Sequence, residues 1–356
     1  MVEIGHVKQG SPEPANIEAD TFDDTGSVSD YGSSIASSTT SVSSSVFEYQ
    51  YENGRRYHAY RAGQYLLPND ELEQDRLDMT HHIFRLALGG DLCITKLDHP
   101  QRILDVGTGT GIWAIESIQR FSPGNKPFGL DADVWCNCVV GDEYPSAQVL
   151  GTDLSPIQPT WVPPNVQFEI EDANDEWTYA PNSFDFIHAR TLAGSIFDWN
   201  KFLRSCYRHA KPGGHVEIAE GRANFWCDDG TLPEDSYTAK WLAEFNRIER
   251  ELNLNFDVFP SLSSHLHQQG FTDIQTKEFI VPVGPWPKDK RLKEIGRWFL
   301  LQFVESGLQA YSLALFTRNG WTEAEVQVLL AGVRAELKQL VCNCDEATLL
   351  NQSAGS

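Results

Sequence analysis

Residues 102–117 constrain this chain more than any other stretch. Arg102-Ile103-Leu104-Asp105-Val106 is a short apolar run of strand length. It leads directly into Gly107-Thr108-Gly109-Thr110-Gly111 and then into the helix-like Ile112-Trp113-Ala114-Ile115-Glu116-Ser117. A strand, a glycine-rich turn and a helix form the nucleotide-binding element of doubly wound α/β proteins. Glycine admits left-handed backbone and lets the main chain approach a ligand where a Cβ would clash. The same turn also serves packing alone. The spacing is G-x-G-x-G rather than the G-x-G-x-x-G of dinucleotide enzymes. Asp105, just before it, suits a cationic ligand and repels a pyrophosphate.

Strands and helices alternate beyond the loop. Runs at 148–153, 166–170 and 184–188 read as strands, and 198–210 as a helix. Lys211-Pro212-Gly213-Gly214 leads into a fifth strand at 215–220. That order predicts a parallel sheet with crossover helices. Asp153 closes the second strand, where an acid holds two ribose hydroxyls. Asp172 and Ala173 close the third, where a carboxylate and a backbone amide read an adenine edge. Helices are expected at 234–253 and 261–269, a closing hairpin at 272–283, and mostly helix over 288–340, with Thr322 as an N-cap.

The ends of the chain differ from this core. Residues 1–46 are rich in Ser and scattered acids and poor in large apolar residues, the composition of a disordered tail. Ser29, Ser33, Ser34, Ser37 and Ser38 are phosphorylation candidates there. Order is expected to begin near Phe47, with a lead-in over 47–100 dense in Tyr and Arg. It includes a helix from about Asp70 that Asn69 or Asp70 caps and Gly89-Gly90 stops. The core occupies 101–287, C-terminal helices 288–340 and a flexible tail 341–356. With 28 basic against 50 acidic residues the net charge is −22. That balance disfavours direct nucleic-acid binding and anionic membranes, both of which need clustered cations. No apolar stretch is long enough to span a bilayer. Seven Cys in 356 residues, without framework spacing, suit a reducing compartment, cytoplasmic or nuclear. No metal site is expected, since Cys136-x-Cys138 and Cys342-x-Cys344 are too tightly spaced for structural zinc.

One spacing is anomalous. Asp153 falls 42 residues beyond Gly111, where about 20 separate the loop from the ribose acid in this fold. The 23 residues of 118–140 account for the excess and break the helix pattern with Pro123, Gly124 and Pro127. They read as an insertion, either an accessory loop or a retained intron.

The segments ILDVGTGTGIWAI, DEYPSAQVLGTDLSPIQPTWVPPNVQFEIEDANDEWTY, FDFIHAR and YRHAKPGGHVEIAE together resemble the LaeA-like fungal methyltransferases. GRRYHAYRAGQYLLPNDELEQDRLDMTHHIF and NGWTEAEVQVLLAGVRAEL resemble the same family. The resemblance implies a Rossmann-like, seven-stranded class I methyltransferase sheet with a helical N-terminal lead-in and C-terminal helical additions. It implies S-adenosyl-L-methionine as cofactor. Asp105, Gly107, Gly109 and Gly111 would cradle its methionine part, Asp153 the ribose, and Asp172 with Ala173 the adenine. Ala189 and Arg190 would meet the transferable methyl, and Tyr60 and Tyr65 would lie in a lid.

Methyl transfer from a sulfonium is an in-line displacement in which the protein supplies alignment. A hydroxyl or carbon acceptor also needs a base. His188, His209 and His215 are the candidates, with Arg190 a further catalytic candidate. A histidine beside Phe186 and Ile187 is equally the mark of a satisfied core residue. Three functions are compatible with these residues: a methyltransferase acting on a small fungal metabolite, a regulator acting through protein partners in the nucleus, and a fold that binds the cofactor without catalysis. The acceptor, the catalytic residue and the oligomeric state stay open.

Overall fold

The computed structural model describes residues 47–61, 63, 65–119, 147–221, 233–339 and 347–355. The 1–46 tail, residues 120–140 and both Cys-x-Cys pairs lie outside them. The lead-in opens with a hairpin of β1 (Gln50–Glu52) and β2 (Arg55–Tyr57). It turns at Asn53 and Gly54, with φ of 49° and 73°, the pair that a tight hairpin turn requires. Helix α1 (Glu71–Ala87) follows, N-capped by Asp70, whose carboxylate accepts the Glu73 N–H at 3.1 Å. Arg55 donates Nε and Nη2 to the same carboxylate at 2.6 and 2.8 Å, which fastens the hairpin to the helix.

The core runs through β3 (Arg102–Val106), α2 (Ile112–Gln119), β4 (Gln148–Asp153), β5 (Val166–Ile170), β6 (Phe184–Arg190), α3 (Trp199–His209) and β7 (Ala210–Gly221). Then come α4 (Tyr237–Leu252), α5 (Phe259–Gln269), β8 (Thr272–Val281) and α6 (Lys290–Gln302). A π-helical turn, Phe303–Gly307, joins α6 to α7 (Leu308–Thr317), and α8 (Glu323–Gln339) and β9 (Ala347–Gly355) complete the chain. Seven strands form one sheet in the order β5-β4-β3-β6-β7-β9-β8. The first five pair in parallel, and β9 lies antiparallel between β7 and β8. The α/β architecture agrees with the sequence reading.

Two expectations are corrected at the sheet edge. Residues 272–281 are a single strand, not a hairpin, and its partner comes from the segment read as a flexible tail. Residues 347–355 pair with β7 on one side and β8 on the other. A strand bonded along both edges is held by its main chain, so the polar sequence Ala347-Thr348-Leu349-Leu350-Asn351-Gln352-Ser353 carries little apolar signal. Strand β7 begins at Ala210, five residues earlier than read. Helix α2 extends through Ile118 and Gln119, so the first two residues assigned to the insertion are helical.

The central strands are buried on both faces, as parallel strands under crossover helices are. Leu104, Val106, Ile187 and Ala189 face a cluster with Trp199, Leu203 and Leu262. Ile103 and Phe186 face the other side, with Trp113 and Ala114 of α2. A third cluster, built on Trp241, Phe303, Phe316 and Leu330, binds α4, α7 and α8 into a helical layer. Between β3 and β6 the chain direction of travel across the sheet reverses, and the crevice at that point, beyond the carboxyl ends of the strands, is where ligands bind in such sheets. Among the described residues no helix is long and apolar enough to cross a membrane.

Candidate functional site

The glycine loop lies at that reversal. Gly107, Gly109 and Gly111 have φ of 68°, 59° and 79°, so each needs the freedom that glycine alone has at low cost. Packing adds a second demand. A Cβ on Gly111 would overlap the Phe168 ring, and one on Gly107 would overlap Leu192. Helix α1 crosses the loop on the outside, with Leu77 against Gly109 and Asp78 Oδ1 accepting from Thr110 Oγ1 at 2.7 Å.

Asp153, at the end of β4, is joined to the loop. Its Oδ2 accepts the Gly109 N–H at 2.9 Å and its Oδ1 the Ser155 N–H at 3.0 Å. Burial pushes its carboxyl up to about 6, against the pull of those main-chain donors. Gln158 Nε2 donates to Gly109 O at 2.7 Å. Ser155 Oγ accepts from Asn69 Nδ2 at 3.1 Å, and through Asn69 the lead-in hairpin is tied to the same strand end.

Asp105 occupies a different position from the one its place before the loop suggests. It is 2% exposed. Its Oδ2 accepts from Thr108 Oγ1 at 2.6 Å and its Oδ1 faces His188 Nδ1 at 2.7 Å. His188 is also 2% exposed and stacks on Trp113, with ring centroids 3.9 Å apart and an interplanar angle of 5°. The Asp105–His188 pair therefore lies beneath the loop, bonded to it through Thr108, with the imidazole face covered by Trp113. His209 donates Nδ1–H to Ser205 O at the end of α3. His215 pairs with Phe186 in the amino-terminal half of β7, away from the crevice.

Asp172 follows β5 and accepts from the Asn174 N–H and Nδ2 at 2.9 and 3.0 Å. Arg61 of the lead-in faces it at 3.7 Å and also pairs with Asp175. Ala173 packs against the Trp199 cluster. Tyr60 lies beneath the Arg61 guanidinium, 5.6 Å from ring to carbon. Tyr65 is pushed well above the ordinary phenol range by burial and by Glu73 and Asp153. Arg76 of α1 bonds Glu73 at 2.7 Å and Tyr311 at 2.7 Å, linking the same neighbourhood to α7.

Ala189 is fully buried with its side chain in the core, so only its main chain lies along the crevice. Arg190, the last residue of β6, points toward α1. Its Nη2 donates to His81 Nδ1 at 3.1 Å and its guanidinium lies over Phe84 at 5.0 Å. His81 Nε2 faces Glu116 at 3.2 Å, and Arg85 holds Glu116 from the other side. Burial pulls His81 down to about 4 and Arg190 to about 10, so the ring is neutral at pH 7 and accepts from a charged guanidinium. Burial also raises Asp78 to about 6. The sequence reading missed Asp78 and His81, which no local pattern marks, and it missed that Thr108 of the glycine loop bonds Asp105. It also missed the hairpin, which Asn53-Gly54 does mark.

Residues 79–276 match the sequence profile described as a methyltransferase domain. Methyltransferase pytC of Aspergillus terreus is 43% identical over 303 residues, covering 84% of this chain and 86% of that protein. The secondary metabolism regulator LAE1 of Cochliobolus heterostrophus is 38% identical, covering 80% of this chain and 88% of the regulator. The protein-methionine methyltransferase laeA of Emericella nidulans is 34% identical, covering 86% and 76%.

Proposed function

The chain belongs to the methyltransferase-domain family, and from that premise we propose an S-adenosylmethionine-dependent methyltransferase of fungal secondary metabolism. The observation that carries this reading is the bond from the Gly109 N–H to Asp153, which joins the glycine loop to the strand-end acid at the sheet's reversal point.

The residues suit that cofactor. Asp153 is held by main-chain N–H groups, and no cation among the described residues pairs with it. Each of its oxygens keeps a lone pair that a vicinal diol can satisfy. On this reading Asp153 takes the ribose hydroxyls, and Asp172 with the Ala173 amide takes the adenine edge. Arg190, whose hydrogen bond goes to a neutral imidazole, takes a carboxylate, while Asp78 faces an ammonium group. Tyr65 and Arg61 close the crevice from the lead-in.

The bound cofactor supplies a methyl group on a positively charged sulfur. The chain contributes alignment, which is worth about 7–11 kcal/mol when the line of attack is held, and exclusion of water by the lead-in and α1. Because His188 is 2% exposed and covered by Trp113, the acceptor on this reading is one that asks no base of β6, such as a thioether, thiolate or carboxylate.

Calorimetric titration of S-adenosylhomocysteine into the full chain tests the reading. Binding is expected, with a loss of about fivefold to about 150-fold in Asp153→Ala, since removing an acceptor from a buried hydroxyl costs about 1–3 kcal/mol. No binding by the wild type overturns it. The regulators among the relatives favour a second reading, action through protein partners. Purification with native partners separates the two: a stable protein complex supports the regulator, a co-purified metabolite the enzyme.

A further inference from the structure

The turn after β6 is held in an unfavourable conformation, and one buried carboxylate holds it. Thr191 has φ 54°, left-handed backbone that a β-branched residue rarely adopts. Such a residue persists only where its surroundings over-determine it. Here the Thr191 N–H donates to Ala219 O at 2.9 Å. The next two amides donate to the two oxygens of one side chain, Leu192 N–H to Glu220 Oε1 at 2.8 Å and Ala193 N–H to Oε2 at 3.2 Å. Beyond them, Gly194 N–H donates to Asn255 O at 3.0 Å. The turn seats Leu192, 8% exposed, against Gly107, where an added Cβ would overlap the leucine side chain.

Glu220 is 2% exposed, and burial pushes its carboxyl up to about 8 in spite of the two main-chain donors. A buried acid is costly unless its hydrogen bonds repay the desolvation. An apolar residue would fill the same space at the end of β7 without that cost. What a carboxyl provides, ionised or not, is two oxygen acceptors for two consecutive N–H groups, where a carboxamide offers one.

We propose that Glu220 is a positioning residue of the methyl-transfer crevice, fixing the Leu192 and Ala193 amides so that Leu192 buttresses Gly107 and with it the glycine loop. The role rests on the reading of that loop as the cofactor's support. Glu220 acts through Leu192 and stands apart from the reacting atoms.

S-adenosylhomocysteine affinity of the full chain, measured by calorimetry, tests this in four proteins: wild type, Glu220→Gln, Leu192→Ala and the double variant. Gln leaves one acceptor and sets an NH2 group against an N–H. Affinity is expected to fall about tenfold in Glu220→Gln, the cost of one buried hydrogen bond, and by about the same factor in Leu192→Ala, which removes the apolar buttress against Gly107. The double variant is expected to bind no more than about threefold worse than Leu192→Ala, because residues acting through one contact do not add. Losses that multiply to about a hundredfold overturn the proposal, as does wild-type affinity in Glu220→Gln. Failure of the wild type to bind removes the cofactor reading itself, a result none of the variant outcomes mimics. Hydrogen exchange in the wild type needs no variant to fold. Peptides 104–112 and 188–196 are expected to gain protection together on adding S-adenosylhomocysteine, and protection of the first without the second overturns the proposal.

Discussion

The crevice and the helical layer bury their side chains by opposite means. At the carboxyl ends of β3, β4, β6 and β7, and on the α1 face above them, the interior is polar. Asp78, Asp153 and Glu220 are held by a hydroxyl or by main-chain N–H groups, and burial raises all three. The layer of α4, α7 and α8 is apolar within. Trp241, Phe245, Leu313, Phe316 and Leu330 pack together, and the indole N–H of Trp241 is satisfied by Ser312 Oγ at 2.7 Å. Its charges stay at the rim, as in Arg247 with Glu244 and Glu251 and Lys338 with Glu305. Burying apolar area stabilises a fold, whereas a buried acid without a cation opposes folding. The helical layer thus supports the chain, and the crevice keeps groups that are unfavourable for stability, which the proposed function puts to use in binding.

The comparison breaks if substitutions in the two regions act alike. Phe316→Ala, at a fully buried position of the helical layer, is expected to cost about 3–5 kcal/mol in urea unfolding. The folded fraction should bind S-adenosylhomocysteine as the wild type does. Gly111→Ala is expected to cost about 2–4 kcal/mol, from left-handed backbone and from overlap with Phe168, and to abolish binding even where the protein is folded. Loss of binding in the first variant, or its retention in the second, would erase the distinction.

The same division separates what was legible in the sequence from what was not. Strands β3 to β6, the glycine loop and Asp153 follow from local pattern: apolar runs, glycine spacing and an acid at a strand end. Asp105 was legible as a special acid, but its partners were not. One is Thr108, three residues away, and the other is His188, brought alongside by the pairing of β3 with β6. The burial of His188 under Trp113 was not legible either, since no spacing rule predicts the stacking of a helical residue on a strand residue. Glu220 looked like one more strand residue, because its meaning lies in two amides 27 and 28 residues away. Strand β9 was missed for a different reason: it is specified by main-chain pairing on both edges, and its side chains say little.

Asp153 offers the finest test, because comparison with Asp153→Asn isolates the titration of one carboxyl and changes almost no volume. Its folded value, about 6, lies above its ordinary value of 3.8, so the fold favours the protonated form. That contribution is fully present below about pH 3.8 and is lost as pH rises through about 6. Relative to Asp153→Asn, which cannot titrate, the wild type is expected to lose on the order of 2 kcal/mol between about pH 4 and pH 7.5. Urea midpoints of the two proteins at both values read the difference. Binding should run the other way, since the ionised carboxylate is the stronger acceptor for two hydroxyls. At about pH 7.5 the wild type should therefore bind S-adenosylhomocysteine more tightly than Asp153→Asn even though its relative stability is lowest there. The loss in Phe316→Ala carries no titrating group and should be the same at both pH values. If the Asp153 difference were equally flat, burial would not be what raises this acid, and the crevice would not differ from the helical layer in the way its geometry implies.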